Sequence, residues 1–334
     1  MIKCIMKGCT MNTTLQLKCD LFIRNKKIIS SVFKHNPTLI ILACASLVTN
    51  ANKNVSPTEL KKCEKIIKDN TSVFSEFRAN LLLPLICKML LSENPKEYFI
   101  NVRTTYTQLN SSKLIGDDHK IMASMVICDH KGCLSTEDCV RRTNIIYSRM
   151  KKNHKWLTSN EDFPLAAILA VSDIDIDKQF IEIEKNFSIL KSKFNDKNAV
   201  QSLSHILAID NLLVENKCQK LQDIYCLLKT QGHPFGTGYE LPSLGTLTML
   251  NLTPEQITSL IIQADDYLKK EKGFGNFALG SKPRRLFAAQ IVADTFLLNS
   301  REDVLLSNVL SCVLSFEICM IVVISSCFYT RTIN

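Results

Sequence analysis

Apolar residues recur at helical spacing along most of the chain, whereas strand-like alternation is rare. In residues 138–150 the apolar side chains stand at positions 140, 145, 146, 147 and 150, close to one stripe of a helix. A single candidate strand, at 171–176, lies between two helical patterns. The spacing predicts an all-α protein of seven helical hairpins, followed by one apolar helix over 303–329. The hairpins are expected at about residues 14–49, 57–93, 97–128, 137–172, 178–209, 216–250 and 255–298.

A two-helix unit repeats about every forty residues. Near the end of five first helices stands a four-residue anchor, which begins at Tyr106, Tyr147, Phe187, Tyr225 and Asp265. The second helices carry a small residue and, six positions later, a residue of the kind that caps helices: Ala123/Asp129, Ala167/Asp173, Ser204/Asp210, Gly245/Asn251 and Ala288/Asp294. Similarity at a fixed period is typical of stacked units. It predicts tandem helix-hairpin repeats that form either an open α-solenoid or a closed α/α toroid.

Proline after a capping residue marks two predicted helix starts, at Ser56-Pro57 and Thr253-Pro254. The connections inside the last four hairpins are longer than a minimal turn, at 154–164, 194–201, 232–242 and 273–285. Each precedes a second helix, so we expect all of them along the same edge of a regular array. Loops held by a rigid scaffold are where functional residues tend to collect.

The composition is that of a folded protein, with 46% hydrophobic and 22% charged residues. We predict a single helical-repeat domain over 14–300, a disordered or non-native extension at 1–13, and an apolar helix and tail at 301–334. The chain start lacks the features of a cleavable signal peptide, and the 14 cysteines include no CxxC pair. These observations favour a reducing, cytoplasmic location.

The net charge of +9 is concentrated near the start, where residues 1–70 hold twelve Lys and Arg against four Asp and Glu. One interpretation is an anionic partner, and the other is a set of solvated lysine-rich helix faces. Aromatic residues are not interleaved with this basic stretch, so nucleic acid is not an expected partner.

Carboxylates form a column near the predicted starts of the second helices. Asp118, Asp162 and Glu240 each stand five residues before a small anchor, and Glu161 adjoins Asp162. Converging carboxylates can bind metals or perform acid–base chemistry, but acidic residues in a first turn also complement the helix dipole. Together with His205, the residues Glu161, Asp162 and Glu240 are the candidate catalytic groups.

Ligand-binding candidates come from three stretches. Asn198, Gln201 and His205 can share one helix face, as the wall of a polar pocket or as hydrogen-bonded core residues. Arg284 and Arg285 oppose the helix dipole, which indicates either an anion contact or a salt bridge to a neighbouring unit. Tyr239, beside Glu240, is the last of the ligand-binding candidates. The Cys and His residues at 128–139 have no standard zinc spacing, so neither a metal nor a cofactor is predicted.

The apolar run 304–329 is long enough to cross a bilayer, and Glu317 is its only charged residue. It is interpreted either as a membrane anchor that leaves the main body in the cytoplasm, or as a buried capping helix. In the second case it also offers a homo-oligomer interface.

Five ordered blocks of this sequence resemble one bacterial family. They lie at 77–85 (FRANLLLPL), 157–173 (LTSNEDFPLAAILAVSD), 198–209 (NAVQSLSHILAI), 239–250 (YELPSLGTLTML) and 273–289 (GFGNFALGSKPRRLFAA). The family is catalogued as domain of unknown function 4003 and is found largely in Firmicutes. The resemblance covers roughly residues 14–330 and implies a bacterial source, but it implies no activity, cofactor or catalytic residue.

Three functional hypotheses follow. The first is an interaction or regulatory scaffold that binds a protein or peptide, by analogy with other helical-repeat folds. The second is an enzyme whose loop residues, including Glu161, Asp162, His205 and Glu240, meet in the cavity of a closed toroid. The third is a membrane-associated protein anchored by residues 304–329.

Overall fold

The computed structural model describes residues 11–110, 117–130, 133–172, 174–209 and 212–297. Within these ranges the chain forms fourteen α-helices and two short 3-10 turns, and no strand, which confirms the predicted all-α class. The helices are α1 Thr13–Val32, α2 Thr38–Asn50, α3 Pro57–Asp69, α4 Leu82–Leu91, α5 Pro95–Leu109, α6 Asp118–Asp129, α7 Thr136–Asn153, α8 Phe163–Val171, α9 Ile176–Leu190, α10 Lys197–Leu207, α11 Val214–Thr230, α12 Pro242–Leu247, α13 Pro254–Lys269 and α14 Ser281–Leu297.

Odd-numbered and even-numbered helices form two layers, which we call outer and inner. The outer helices are amphipathic, so that α7, for example, buries one stripe and exposes the rest. The inner helices are buried over most of their surface, and α2 and α8 are also apolar on nearly all sides. All nine residues of α8 are buried, as are the ten consecutive residues 40–49 of α2. A helix that is hydrophobic all round must be covered by neighbours on every side, which places the core along the inner layer.

The two predicted proline starts agree with the structure. Pro57 and Pro254 occupy the first turns of α3 and α13, and Ser56 and Thr253 form capping boxes with Glu59 and Gln256. Each box supplies acceptors for amide groups that the helix leaves unpaired at its start. Local sequence chemistry therefore sets where these helices begin.

The first hairpin packs against the last one. Helix α1 contacts both α13 and α14, and α2 contacts α14. The Phe22 ring lies 5.9 Å from Phe274 and 5.6 Å from Phe287, measured between ring centroids. The hydroxyl of Tyr267 donates a 2.6 Å hydrogen bond to Asp20. These contacts close the seven hairpins into a ring, which the repeat pattern alone left open.

The predictions for the two chain ends rest on the sequence alone. Residues 1–10 and 298–334 lie outside the described residues, including the predicted helix over 303–329 and the anchor candidate at 304–329. Among the helices that are described, none is both long enough and apolar enough to span a bilayer.

Close approach of inner helices explains the small residue of the repeat. Gly245 of α12 faces α10, and a Cβ atom there would lie 2.9 Å from Leu203 Cδ1 and 3.0 Å from Ile206 Cγ2. We expect Gly245→Val to lower the free energy of unfolding by about 1–3 kcal/mol, because the added methyl groups overpack this contact. The measurement is urea unfolding followed by circular dichroism.

Gly275 is the matched control, since a Cβ atom there meets no atom within 4 Å and its φ is not positive. Gly275→Val is expected to change stability by less than about 0.5 kcal/mol. Equal effects of the two substitutions would contradict the close α10–α12 approach.

Candidate functional site

The connections inside the hairpins lie together along one edge of the ring, which we call the loop edge. Its described connections span 33–37, 70–81, 154–162, 191–196, 231–241 and 270–280, and residues 110 and 117 belong to the third hairpin's connection. Polar contacts join neighbouring connections or the helix starts beside them. Asn160 Nδ2 donates to Asp117 Oδ2 at 2.9 Å, and Gln201 Nε2 donates to Thr158 Oγ1 at 3.0 Å. These contacts link the third hairpin to the fourth and the fourth to the fifth.

A buried charge cluster forms where the sixth and seventh hairpins meet. Asp265 of α13 accepts from Arg284 Nε at 2.6 Å through one carboxylate oxygen. Its other oxygen lies 2.9 Å from His233 Nδ1 and 3.5 Å from Arg285 Nε, the latter within ion-pair range but outside hydrogen-bond geometry. Arg284 also donates to the carbonyl of Phe274 at 3.0 Å. The geometry supports a salt bridge for the two arginines, but with Asp265 of their own hairpin and not with a neighbouring unit.

His233, Asp265 and Asp266 bring three potential metal-ligating atoms within 4.8 Å of one another. Both oxygens of Asp265 already face donors, and the guanidinium groups of Arg284 and Arg285 lie beside them. A divalent cation would have to displace these donors and approach two fixed positive charges. The cluster is therefore better suited to holding the helices together than to binding a metal.

A second cluster surrounds Asp162, in the connection before α8. Burial raises the pKa of Asp162 to about 6, with a further increase from the charge of Glu161. The Ser159 backbone amide donates a 2.9 Å hydrogen bond to the Asp162 carboxylate, and this bond partly offsets the rise in pKa. The raised pKa suits a general acid or base. However, the carboxylate also completes the capping box of the short 3-10 turn at 160–162, which is a structural role.

Asp117 and Tyr147 lie in the same neighbourhood as Asp162. Burial alone would raise the pKa of Asp117, but hydrogen bonds from His119 and from backbone amides lower it below its usual value. The pKa of Tyr147 is raised, first by burial and then by the charges of Asp162 and Asp117. The Tyr147 hydroxyl donates to Asn160 Oδ1 at 3.3 Å. This cluster joins the third hairpin to the fourth.

Gln201 and His205 lie one helical turn apart in α10, and both are buried. Burial lowers the pKa of His205 to about 3, helped by the nearby His154, so the imidazole is neutral at pH 7. Gln201 Oε1 and His205 Nδ1 have no hydrogen-bond partner among the described residues. A base with so low a pKa is too weak to accept a proton efficiently near neutrality. Asn198, predicted to share this face, is exposed instead.

Glu240 and Tyr239 form a fourth cluster in the connection before α12. The buried Glu240 carboxylate packs on Gly236, where a Cβ atom would lie 2.2 Å from Oε2, so a larger residue there would require a rearrangement. Burial and the neighbouring Glu240 raise the pKa of the partly exposed Tyr239 to about 12. Glu240 thus lies beside the backbone of its own loop.

The candidate residues therefore form separate groups. Arg284 and Arg285 meet on Asp265, Tyr239 lies beside Glu240, and Glu161 lies beside Asp162. Gln201 and His205 form a fourth group with Thr158 and His154. Their contacts are to different neighbours in different hairpins, which favours structural linkage over a shared catalytic centre.

Sequence reasoning missed the role of Asp265. A signal was present, because Asp265 begins the anchor at the position held by Tyr106, Tyr147, Phe187 and Tyr225 in the other units. Those aromatic rings pack locally, as in the 4.0 Å stacking of Tyr147 on Phe163. A carboxylate in that buried position needs compensating charge, which Arg284 and Arg285 provide.

The fold and the loop edge together define an all-α ring of helical hairpins that is linked by polar contacts between loops. A family model described as protein of unknown function (DUF4003) matches residues 26–326, which is most of the chain. The protein therefore belongs to this family. Comparison with curated proteins and with solved structures gives no match.

Stability should depend on pH through Asp162. Its folded pKa is about 6, whereas an unfolded Asp titrates near about 4. Between the unfolded and the folded pKa, Asp162 is protonated in the folded state but ionised in the unfolded state. Its contribution to the free energy of unfolding therefore falls as the pH rises from about 4 to about 6. We expect Asp162→Asn to raise the free energy of unfolding at pH 7.5 by about 1–2 kcal/mol, with the gain lost below about pH 4.

Urea unfolding at several pH values measures this effect. The Asn side chain keeps an acceptor for the Ser159 amide, so the comparison isolates the charge. Glu93→Gln, which removes an exposed carboxylate, is the control and should change stability by less than about 0.5 kcal/mol. A gain that persists unchanged to low pH would refute the assignment.

Asp265→Ala should be strongly destabilising, because it leaves the buried Arg284 without its counter-ion. We expect a loss of about 3–5 kcal/mol in the free energy of unfolding. Glu271→Ala removes one partner of the exposed 3.6 Å pair with Lys27 and should cost less than about 1 kcal/mol. Chemical denaturation compares the two, and similar losses would show that Asp265 is not an essential counter-charge.

Proposed function

We propose that this protein is a non-catalytic interaction scaffold that binds a protein or peptide partner. The observation that carries the proposal is a groove of about 710 Å³ along α7, on the outside of the ring. It is lined by Asn144, Ile145, Ser148, Arg149, Lys152 and Asn153. A volume of this order is typical of pockets that hold a few side chains of a ligand.

The residues that line the groove all belong to α7, and α9 is the next outer helix along the chain. The backbones of α7 and α9 approach less closely than those of the other adjacent outer helices. Side chains bridge the gap instead, since Arg149 binds Asp177 and His154 Nε2 lies 3.0 Å from Glu184 Oε1. Arg149 therefore both lines the groove and connects α7 to α9.

The groove wall has the chemistry of a peptide site. Ile145 is 44% exposed and offers an apolar contact, and the amide of Asn144 lines the groove beside it. Arg149 is occupied by Asp177, which leaves the exposed Lys152 as the cation that faces a ligand. The occupant that fits is a short segment with one apolar anchor side chain and an acidic residue beside it.

The alternative enzyme hypothesis has weaker support. Asp162, His205, Glu240 and Arg284 contact different neighbours, and His205 is neutral and buried. Catalysis requires groups held within reach of one reacting atom. The membrane-anchor alternative depends on residues 304–329, which lie outside the described residues, and so it rests on the sequence.

The test selects short random peptides, displayed on phage, against the full chain and measures their binding by fluorescence polarisation. Ile145→Lys is expected to weaken the selected peptides at least about tenfold, because it removes the apolar contact. Ile100→Lys is the matched control, since Ile100 is 42% exposed on the outer helix α5, outside the groove.

The control variant should bind as the unchanged protein does, and both variants should unfold at the same denaturant concentration as the parent. Peptides that bind equally well to Ile145→Lys would place the binding surface elsewhere. A selection that yields no peptide better than its scrambled version would remove the support for a peptide-binding scaffold.

A further inference from the structure

The loop edge carries aromatic side chains that contact little of the protein. Phe74, Trp156 and Phe277 are 99%, 91% and 109% exposed, and they come from the second, fourth and seventh hairpins. Tyr239, also on the loop edge, is the fourth exposed aromatic residue within the described part of the chain. Leaving a large apolar side chain in water forgoes about 1.5–3 kcal/mol of burial. Their shared placement on one edge marks a contact surface.

The loop edge is also basic, and the helix dipole explains why. The hairpins repeat in one orientation, so all outer helices end at the loop edge. Lysines occupy the last turns of four of the seven outer helices, at Lys68, Lys151, Lys152, Lys229 and Lys269, while acidic residues occupy the first turns of the same four helices at the opposite edge. Exposed lysines in the connections add to this charge: Lys155, Lys191, Lys193, Lys270 and Lys272. Placement favoured by the helix dipole thus makes the loop edge more positive than the opposite edge.

Two features of this edge distinguish between classes of partner. Its cations are mostly lysines, which protein–protein interfaces tend to deplete, whereas anionic headgroups attract lysine by about 1 kcal/mol per charge. The aromatic residues come from separate hairpins around the ring, instead of following one groove as a single strand of nucleic acid requires. Aromatic rings with neighbouring lysines are typical of proteins that sit at the headgroup level of a bilayer.

We propose that the loop edge docks on an anionic lipid surface, with Phe74, Trp156 and Phe277 entering the headgroup region and the surrounding lysines binding lipid phosphates. This surface adjoins the α7 groove and shares Lys152 with it, but Phe74, Trp156 and Phe277 do not line the groove, so the proposal does not depend on peptide binding. It is also independent of residues 304–329, because every contributing side chain belongs to the described connections and helix ends.

Trp156 is the only tryptophan of the chain, which makes it a built-in reporter. The full-length protein is titrated with vesicles of phosphatidylcholine alone or mixed with phosphatidylglycerol. Trp156 emission should shift to the blue with the mixed vesicles, because the indole leaves water. The shift should be weaker with neutral vesicles and should decrease as salt screens the lysines.

The Phe74→Ser/Phe277→Ser double variant keeps the reporter and is expected to lower partitioning into mixed vesicles at least about tenfold, measured by co-sedimentation. Leu213→Ser is the matched control, since Leu213 is an exposed apolar residue at the opposite edge, and it should bind normally. Since the substituted side chains are exposed, thermal unfolding should be unchanged in both variants.

Three outcomes would overturn the proposal. Trp156 emission that does not respond to mixed vesicles would show that the loop edge does not enter a bilayer. Unchanged partitioning of the double variant would place any membrane contact elsewhere, including at 304–329. A shift produced by a single-stranded thymidine oligonucleotide, but not by vesicles, would identify nucleic acid as the anionic partner.

Discussion

The inner helices must be covered on every side, and the rest of the structure follows from that constraint. Helices such as α2 and α8 have almost no polar face, so a single hairpin cannot bury them. Stacking hairpins covers two sides of each inner helix but leaves the first and last units exposed. Packing of α1 and α2 against α13 and α14 removes those exposed ends. Closure thus performs the role that special capping repeats have in an open array.

The polar residues at the loop edge stabilise the packing of the hairpins, and this role accounts for their contacts. Asp265 with His233, and Asp117 with Asn160, join neighbouring hairpins at points where the chain reverses, while Arg284 and Arg285 pair with Asp265 inside one hairpin. Reversals leave backbone and side-chain groups without helical partners, so charge pairs and capping contacts collect there. Buried carboxylates with shifted pKa values, Asp162 among them, are therefore explained as parts of the scaffold.

What remains for function is the outside of the ring. A groove lies along α7, while the loop edge combines lysines with exposed Phe74, Trp156 and Phe277. One surface points away from the ring axis and the other along it. The two proposals therefore use different surfaces: the α7 groove for a peptide and the loop edge for an anionic lipid surface.

The sequence by itself determined the helices, the repeat and the family, because helical periodicity and proline caps act over a few residues at a time. It also placed the long loops on one edge, since identical hairpins repeat in one orientation. Only the tertiary structure decided that the array closes and that Asp265 is the partner of Arg284. Only it showed that Asn198 is exposed while Gln201 and His205 are buried. These outcomes depend on small rotations that accumulate between units and on contacts between distant residues, which no local pattern encodes.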